Sequence, residues 1–118
     1  MKTANVAEAV KSEHAVALLK QMYGENRVEE NAARYQLVAD GFAKEFGDKA
    51  FEFFSAPGRT EIGGNHTDHN HGKVLAGSVH LDCVAAAAPN GTHTVNLISE
   101  KYNQHLVNNL DDLAPTEK

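Results

Sequence analysis

Apolar positions in the first forty-odd residues recur at helical spacing. Val6, Val10, Ala17 and the Leu18-Leu19 pair fall at three- and four-residue steps and form one apolar stripe, with Gly24 as a stop. A second stripe starts near Val28 and runs through Ala32, Tyr35, Ala39, Phe42 and Phe46, with Gly47 to close it. After Asp48 the period changes. Phe51-Glu52-Phe53-Phe54-Ser55 is short and aromatic and is followed by Pro57-Gly58, which predicts a largely buried strand ending there. A polar stretch, residues 56–72, separates it from a long apolar run, Val74 to Ala88. The Ala85 to Ala88 tract would suit a helix by propensity, but its turn boundaries favour a strand. Pro89-Asn90-Gly91 predicts a hairpin turn into the β-branched segment Thr92 to Ser99. A further short strand or turn is expected after Gln104. The expected fold is α+β, with N-terminal helices over 1–48 followed by a mixed or antiparallel sheet over 49–113.

Composition narrows the setting more than the chemistry. The chain has 118 residues, 42% hydrophobic and 23% charged, which suits one globular domain. No apolar run approaches the roughly 20 residues of a membrane span, and the segment after Met1 lacks the apolar core of a signal peptide. The expectation is a cytoplasmic protein with no membrane partner. A net charge of −5 disfavours general nucleic-acid binding, which relies on many Lys and Arg contacts to phosphates. The lone cysteine, Cys83, excludes an internal disulfide and, within an apolar run, is expected to be a buried thiol.

Candidate chemistry is concentrated in residues 56–72, Ala-Pro-Gly-Arg-Thr-Glu-Ile-Gly-Gly-Asn-His-Thr-Asp-His-Asn-His-Gly. Arg59, next to a rigid Pro-Gly pair, could hold an anion such as a phosphate, or pair with Glu61 or Asp68. Asn65, His66, Thr67 and Asp68 supply donors and acceptors suited to a polyhydroxylated ligand, and the same residue types also cap turns. His66, His69 and His71 lie close together, but cysteine pairs and the helical two-histidine zinc pattern are absent, so no metal is expected.

This stretch resembles the sugar-recognition signature of galactokinases, members of the GHMP kinase superfamily. Ala56-Pro57-Gly58-Arg59, Gly64, His66-Thr67-Asp68 and Asn70 match that signature position for position, and the similarity extends from about residue 40 onward. The resemblance implies a partial form of the ribosomal-protein-like N-terminal domain of GHMP kinases. It also implies ATP-dependent phosphorylation of galactose to galactose 1-phosphate, with ATP and Mg2+ as cofactors. Arg59 would then stabilise the transferring phosphoryl group, Asn65, His66, Thr67 and Asp68 would contact the sugar, and Ser99 would lie near the nucleotide. Three positions depart from the pattern: Asn65 replaces a glutamate, Glu61 an asparagine and His69 a tyrosine. The family's Gly- and Ser-rich phosphate loop has no counterpart here, since Gly63-Gly64 lies in the sugar loop and Gly77-Ser78 is isolated. The expectation is therefore the first part of a galactokinase, inactive alone, with an open sheet edge prone to self-association. The alternatives are a non-catalytic sugar-binding or sensor module and a His-rich metal-binding protein.

Overall fold

The computed structural model describes residues 2–64, 67–111 and 113–114, without the side chains of Ala4 and Asp68. The apolar stripe of the first segment is carried by two helices. Helix α1 covers Val6–Ala9 and helix α2 covers Glu13–Tyr23. Ser12 divides them: its hydroxyl donates to the Ala9 carbonyl at 2.7 Å and accepts from the Ala15 amide at 3.3 Å. A serine that closes one helix and caps the next offers the backbone an alternative to continuing the helical ladder. Helix α3, Val28–Phe46, follows the second stripe, and the two expected stops are in place. The Gly24 amide bonds to the Lys20 carbonyl and the Gly47 amide to the Ala43 carbonyl, both at 2.9 Å.

Strand β1 spans Glu52–Gly63 and pairs antiparallel with β2, Leu75–Ala87. The core lies where the start of this hairpin meets the helices. Phe51 and Phe42 are buried with ring centroids 4.8 Å apart, Phe53 stands edge-on to Tyr35 at 5.0 Å, and Val6, Leu19 and Ala39 are buried as well. Across the ladder, Phe53 faces Ala86 and Phe54 faces Ala85. Small residues opposite large aromatic ones explain why the alanine tract is a strand despite its helix propensity.

Two expectations about this hairpin are corrected. β1 does not end at Pro57-Gly58; the ladder slips there instead, with Pro57 opposite Asp82 and Arg59 opposite Ser78. A proline lacks only an N–H, and a strand can accept one at an irregularity. Gly58 fits the same point closely, because a Cβ there would come within 3.3 Å of the Leu81 carbonyl and the Val79 side chain. Cys83 is exposed, not buried, at a position facing Ala56 on the hairpin.

β3, Thr94–Ser99, pairs antiparallel with β4, Gln104–Asn109. This replaces the expected hairpin between the second and third strands. β2 takes β1 as its partner, and residues 88–93 form a longer connection than the tight turn that Asn-Gly favours. Asn90 closes a side-chain turn instead. It accepts from the Thr92 amide at 2.9 Å and donates to the Thr94 carbonyl at 2.7 Å. The final strand expected after Gln104 is β4. Contacts divide the chain into two compact units, Met1–Ala87 and Ala88–Lys118. The fold is α+β, helices then antiparallel strands, and among the described residues no helix is long and apolar enough to cross a membrane.

Candidate functional site

Much of the polar stretch is strand and not loop. Residues 56–63 continue β1, so Arg59 leaves a hydrogen-bonded ladder and not a flexible turn. Arg59 and Glu61 are two apart and share a face. Nε and Nη2 of Arg59 reach Oε1 of Glu61 at 3.2 and 3.1 Å. Of the two readings of Arg59, the ion pair with Glu61 is therefore present. The facing residues, Ser78 and Ala76, are small and leave the pair room. The Arg59 side chain is 70% exposed against 19% for Glu61, so the guanidinium stays open to an incoming anion.

The loop after β1 closes on itself. The Thr67 hydroxyl donates to the Gly64 carbonyl at 2.7 Å, and the Thr67 amide bonds to the same oxygen at 3.0 Å. The Thr67 carbonyl accepts from the Asn70 and Gly72 amides at 3.0 and 2.7 Å. A short 3-10 turn over Asp68–Asn70 lies inside this ring of bonds. Gly64, at φ 87°, packs against the Lys73 carbonyl and within 3.1 Å of Val74 as judged from where a Cβ would sit. A side chain there meets both an unfavourable φ and backbone atoms. Gly64→Ala is expected to destabilise the loop by roughly 1–3 kcal/mol, read as faster proteolysis between residues 64 and 73 with a smaller shift in the urea midpoint.

The site residues expected from sequence are distributed as follows. Arg59 lies on β1, paired with Glu61. Thr67 is the clasp of the loop. Asp68 opens the 3-10 turn, and its side chain is outside the described residues, as are Asn65 and His66 entirely. Ser99 ends β3, opposite Gln104, in the second unit. Among the described residues no three metal-binding side chains gather.

A group missed at the sequence level stands at the base of the same hairpin. Asp82, its side chain only 4% exposed, takes Nη1 of Arg34 on Oδ1 at 2.5 Å. Its Oδ2 accepts from the Tyr23 hydroxyl at 2.5 Å and from the Ser55 hydroxyl. Nη2 of Arg34 also donates to the Asp82 main-chain carbonyl at 2.5 Å, and the Tyr35 hydroxyl lies 3.2 Å from that of Tyr23. Burial works to raise the Asp82 carboxyl, but the bonds from Ser55, Tyr23 and Arg34 outweigh it and hold the group below the usual aspartate value. Burial, then the bond to Asp82, pushes the Tyr23 hydroxyl well above its ordinary value. The available signal was a single acid inside the apolar run Val79 to Ala88, at a position that must be either exposed or paired.

Residues 40–89 match the family model described as the galactokinase galactose-binding signature. The chain carries the galactokinase signature. That match takes in the end of α3, both strands of the first hairpin and the loop between them, and so includes Arg59, Thr67, Asp68 and Asp82 but not Ser99. A galactokinase of Lactococcus lactis subsp. cremoris is 36% identical over 76 residues, 64% of this chain and 19% of that protein. A galactokinase of Lacticaseibacillus casei is 37% identical over 65 residues, 55% of this chain and 17% of that protein. The chain resembles the N-terminal portion of a galactokinase. It spans about a fifth of the length of these galactokinases. No solved structure matches the chain.

Proposed function

We propose that this chain is the galactose-recognising, N-terminal part of a cytoplasmic galactokinase, which transfers a phosphoryl group from ATP to galactose to give galactose 1-phosphate. The observation that carries this reading is the signature match over residues 40–89, which coincides with the hairpin that presents Arg59. In this reading the first unit is part of the ribosomal-protein-like domain of GHMP kinases. Asn65, His66, Thr67 and Asp68 hydrogen-bond the sugar hydroxyls, a carboxylate accepting from two of them and the amide and imidazole either donating or accepting. Sites of this kind discriminate strongly, because a missing hydroxyl leaves a polar group unpaired. Arg59 exchanges its bond to Glu61 for the transferring phosphoryl group, whose spread charge a guanidinium matches.

Among the described residues there is no phosphate cradle for ATP and its Mg2+. Gly63 closes β1 and Gly64 is packed against residues 73 and 74, while Gly77 and Ser78 lie within β2. None of these opens a helix, the arrangement that a phosphate cradle uses. The nucleotide side of the reaction, with Ser99 at its margin, therefore falls to the remainder of a galactokinase, and the chain alone is inactive.

The test is complementation. The chain mixed with the C-terminal remainder of the Lactococcus galactokinase is expected to form galactose 1-phosphate from galactose and ATP, with neither part active alone. Arg59→Ala should lower the rate of the mixture by roughly 100-fold or more, as loss of a charge-stabilising donor does. No product from a mixture in which the two parts associate would overturn the assignment.

A further inference from the structure

The first hairpin has two halves with different support. Up to Pro57 and Asp82 it is held by the helices, through Phe51, Phe53 and the Asp82 cluster. Beyond the slip in the ladder, residues 59, 60, 62, 63, 75, 76 and 78 are exposed, and the strands rely on each other. Arg59, Glu61 and the loop closed by Thr67 all belong to this outer half.

Asp82 lies opposite Pro57, at the last regular rung before the slip. Ser55, two residues before Pro57 on β1, donates to the Asp82 carboxylate, as do Tyr23 of α2 and Arg34 of α3. One carboxylate thus ties both strands to two helices at the point from which the outer half projects. We propose that this cluster is a positioning device for the signature: Asp82, with Ser55, Tyr23 and Arg34, sets where the outer hairpin leaves the helices and so where Arg59 and the loop stand. All four act through the backbone of the hairpin and not by contact with substrate. As regards backbone position the inference stands on the geometry alone; as regards sugar affinity it rests on the galactose reading above.

The experiment compares Ser55→Ala, Ser55→Thr and Tyr23→Phe with the unaltered chain, by amide hydrogen exchange and by galactose titration under conditions where each is folded. Ser55→Ala removes one hydroxyl, Ser55→Thr restores it, and Tyr23→Phe removes a different donor to the same oxygen. Losing a hydrogen bond to a charged group shifts a local equilibrium by about tenfold or more. Exchange at Arg59, Thr60, Glu61 and Ser78 is therefore expected to quicken by about tenfold in Ser55→Ala and Tyr23→Phe. The amides of Tyr35 to Ala39 should change little, and Ser55→Thr should restore protection. The galactose Kd should rise by about tenfold in the same two variants and recover in Ser55→Thr. Unchanged protection of the outer hairpin in either deletion variant overturns the proposal. So does equal acceleration in α3 and the hairpin, which would mark the cluster as a general stabiliser. If the unaltered chain does not bind galactose, that tells against the galactose reading, and the exchange comparison still decides the positioning role.

Discussion

Asp82→Ala is expected to destabilise the first unit by about 3 kcal/mol, measured as a lower urea midpoint at neutral pH with little change in slope. Removing the acid leaves Arg34, Tyr23 and Ser55 without their shared acceptor, and breaking a buried ion pair in this way costs roughly 3–5 kcal/mol. The lower end applies because the Arg34 side chain is 36% exposed and water can re-solvate the guanidinium. Such a loss is a large fraction of the roughly 5–15 kcal/mol that separates folded from unfolded domains. The same carboxylate sets an acid limit. Its folded value lies below the unfolded value of about 3.9, so its contribution is present above that pH and disappears as the pH falls through the lowered folded value. The difference in stability between the unaltered chain and Asp82→Ala should accordingly shrink below about pH 4, in urea titrations repeated at falling pH. A difference independent of pH down to about pH 2 would show that the charge of Asp82 contributes nothing.

Phe51→Ala should be at least as damaging, at about 3–5 kcal/mol. Phe51 is 2% exposed and its ring lies 4.8 Å from Phe42 and 5.2 Å from Phe53. Alanine at this position removes one of the side chains through which the hairpin meets α3 and leaves a cavity that neighbouring rings can fill only partly. The control is Phe54→Ala. Phe54 lies three residues further on, in β1, points the other way and is 55% exposed, so its loss should cost less than about 1 kcal/mol. Equal effects of the two substitutions in thermal or urea unfolding would contradict the packing described here.

The helical part of the fold was legible because its signals are local. Gly24 and Gly47 end helices where they were expected to, and the stripe from Ala32 to Phe46 faces the core through Ala39 and Phe42. The sheet was less legible because pairing is not a local property. Asn90-Gly91 advertises a tight turn, but β2 is committed to β1 by small residues set against phenylalanines, and Asn90 spends its side chain on Thr92 and Thr94. Pro57-Gly58 looks like a strand stop in sequence, whereas a ladder that slips at that point accepts both residues. Cys83 looked buried because its neighbours are apolar, yet alternation along β2 puts it on the exposed face.

The site divides in the same way. Its residue types and their match to the galactokinase signature are visible in the chain itself. The choice of Glu61 as the partner of Arg59 required the strand, which places residues two apart on one face. Asp82 could be noticed as an acid among apolar residues, but its donors come from positions 23, 34 and 55, which only the packed structure brings together. Glu61, which stands where the usual signature carries an asparagine, has its carboxylate occupied by Arg59.

The slip between Pro57 and Arg59 has a consequence for how this hairpin can change in length. From the rung Pro57–Asp82 to the rung Arg59–Ser78, β2 contributes extra residues that β1 does not match, and they come as an even set. An even excess preserves the inward and outward faces of both strands across the irregularity, whereas an odd one reverses every side chain beyond it. Single-residue insertions or deletions between Val79 and Leu81 would turn Ser78 and Ala76 away from Arg59 and Glu61, while a paired change would leave their facing intact. Relatives that differ in length here should therefore differ by twos.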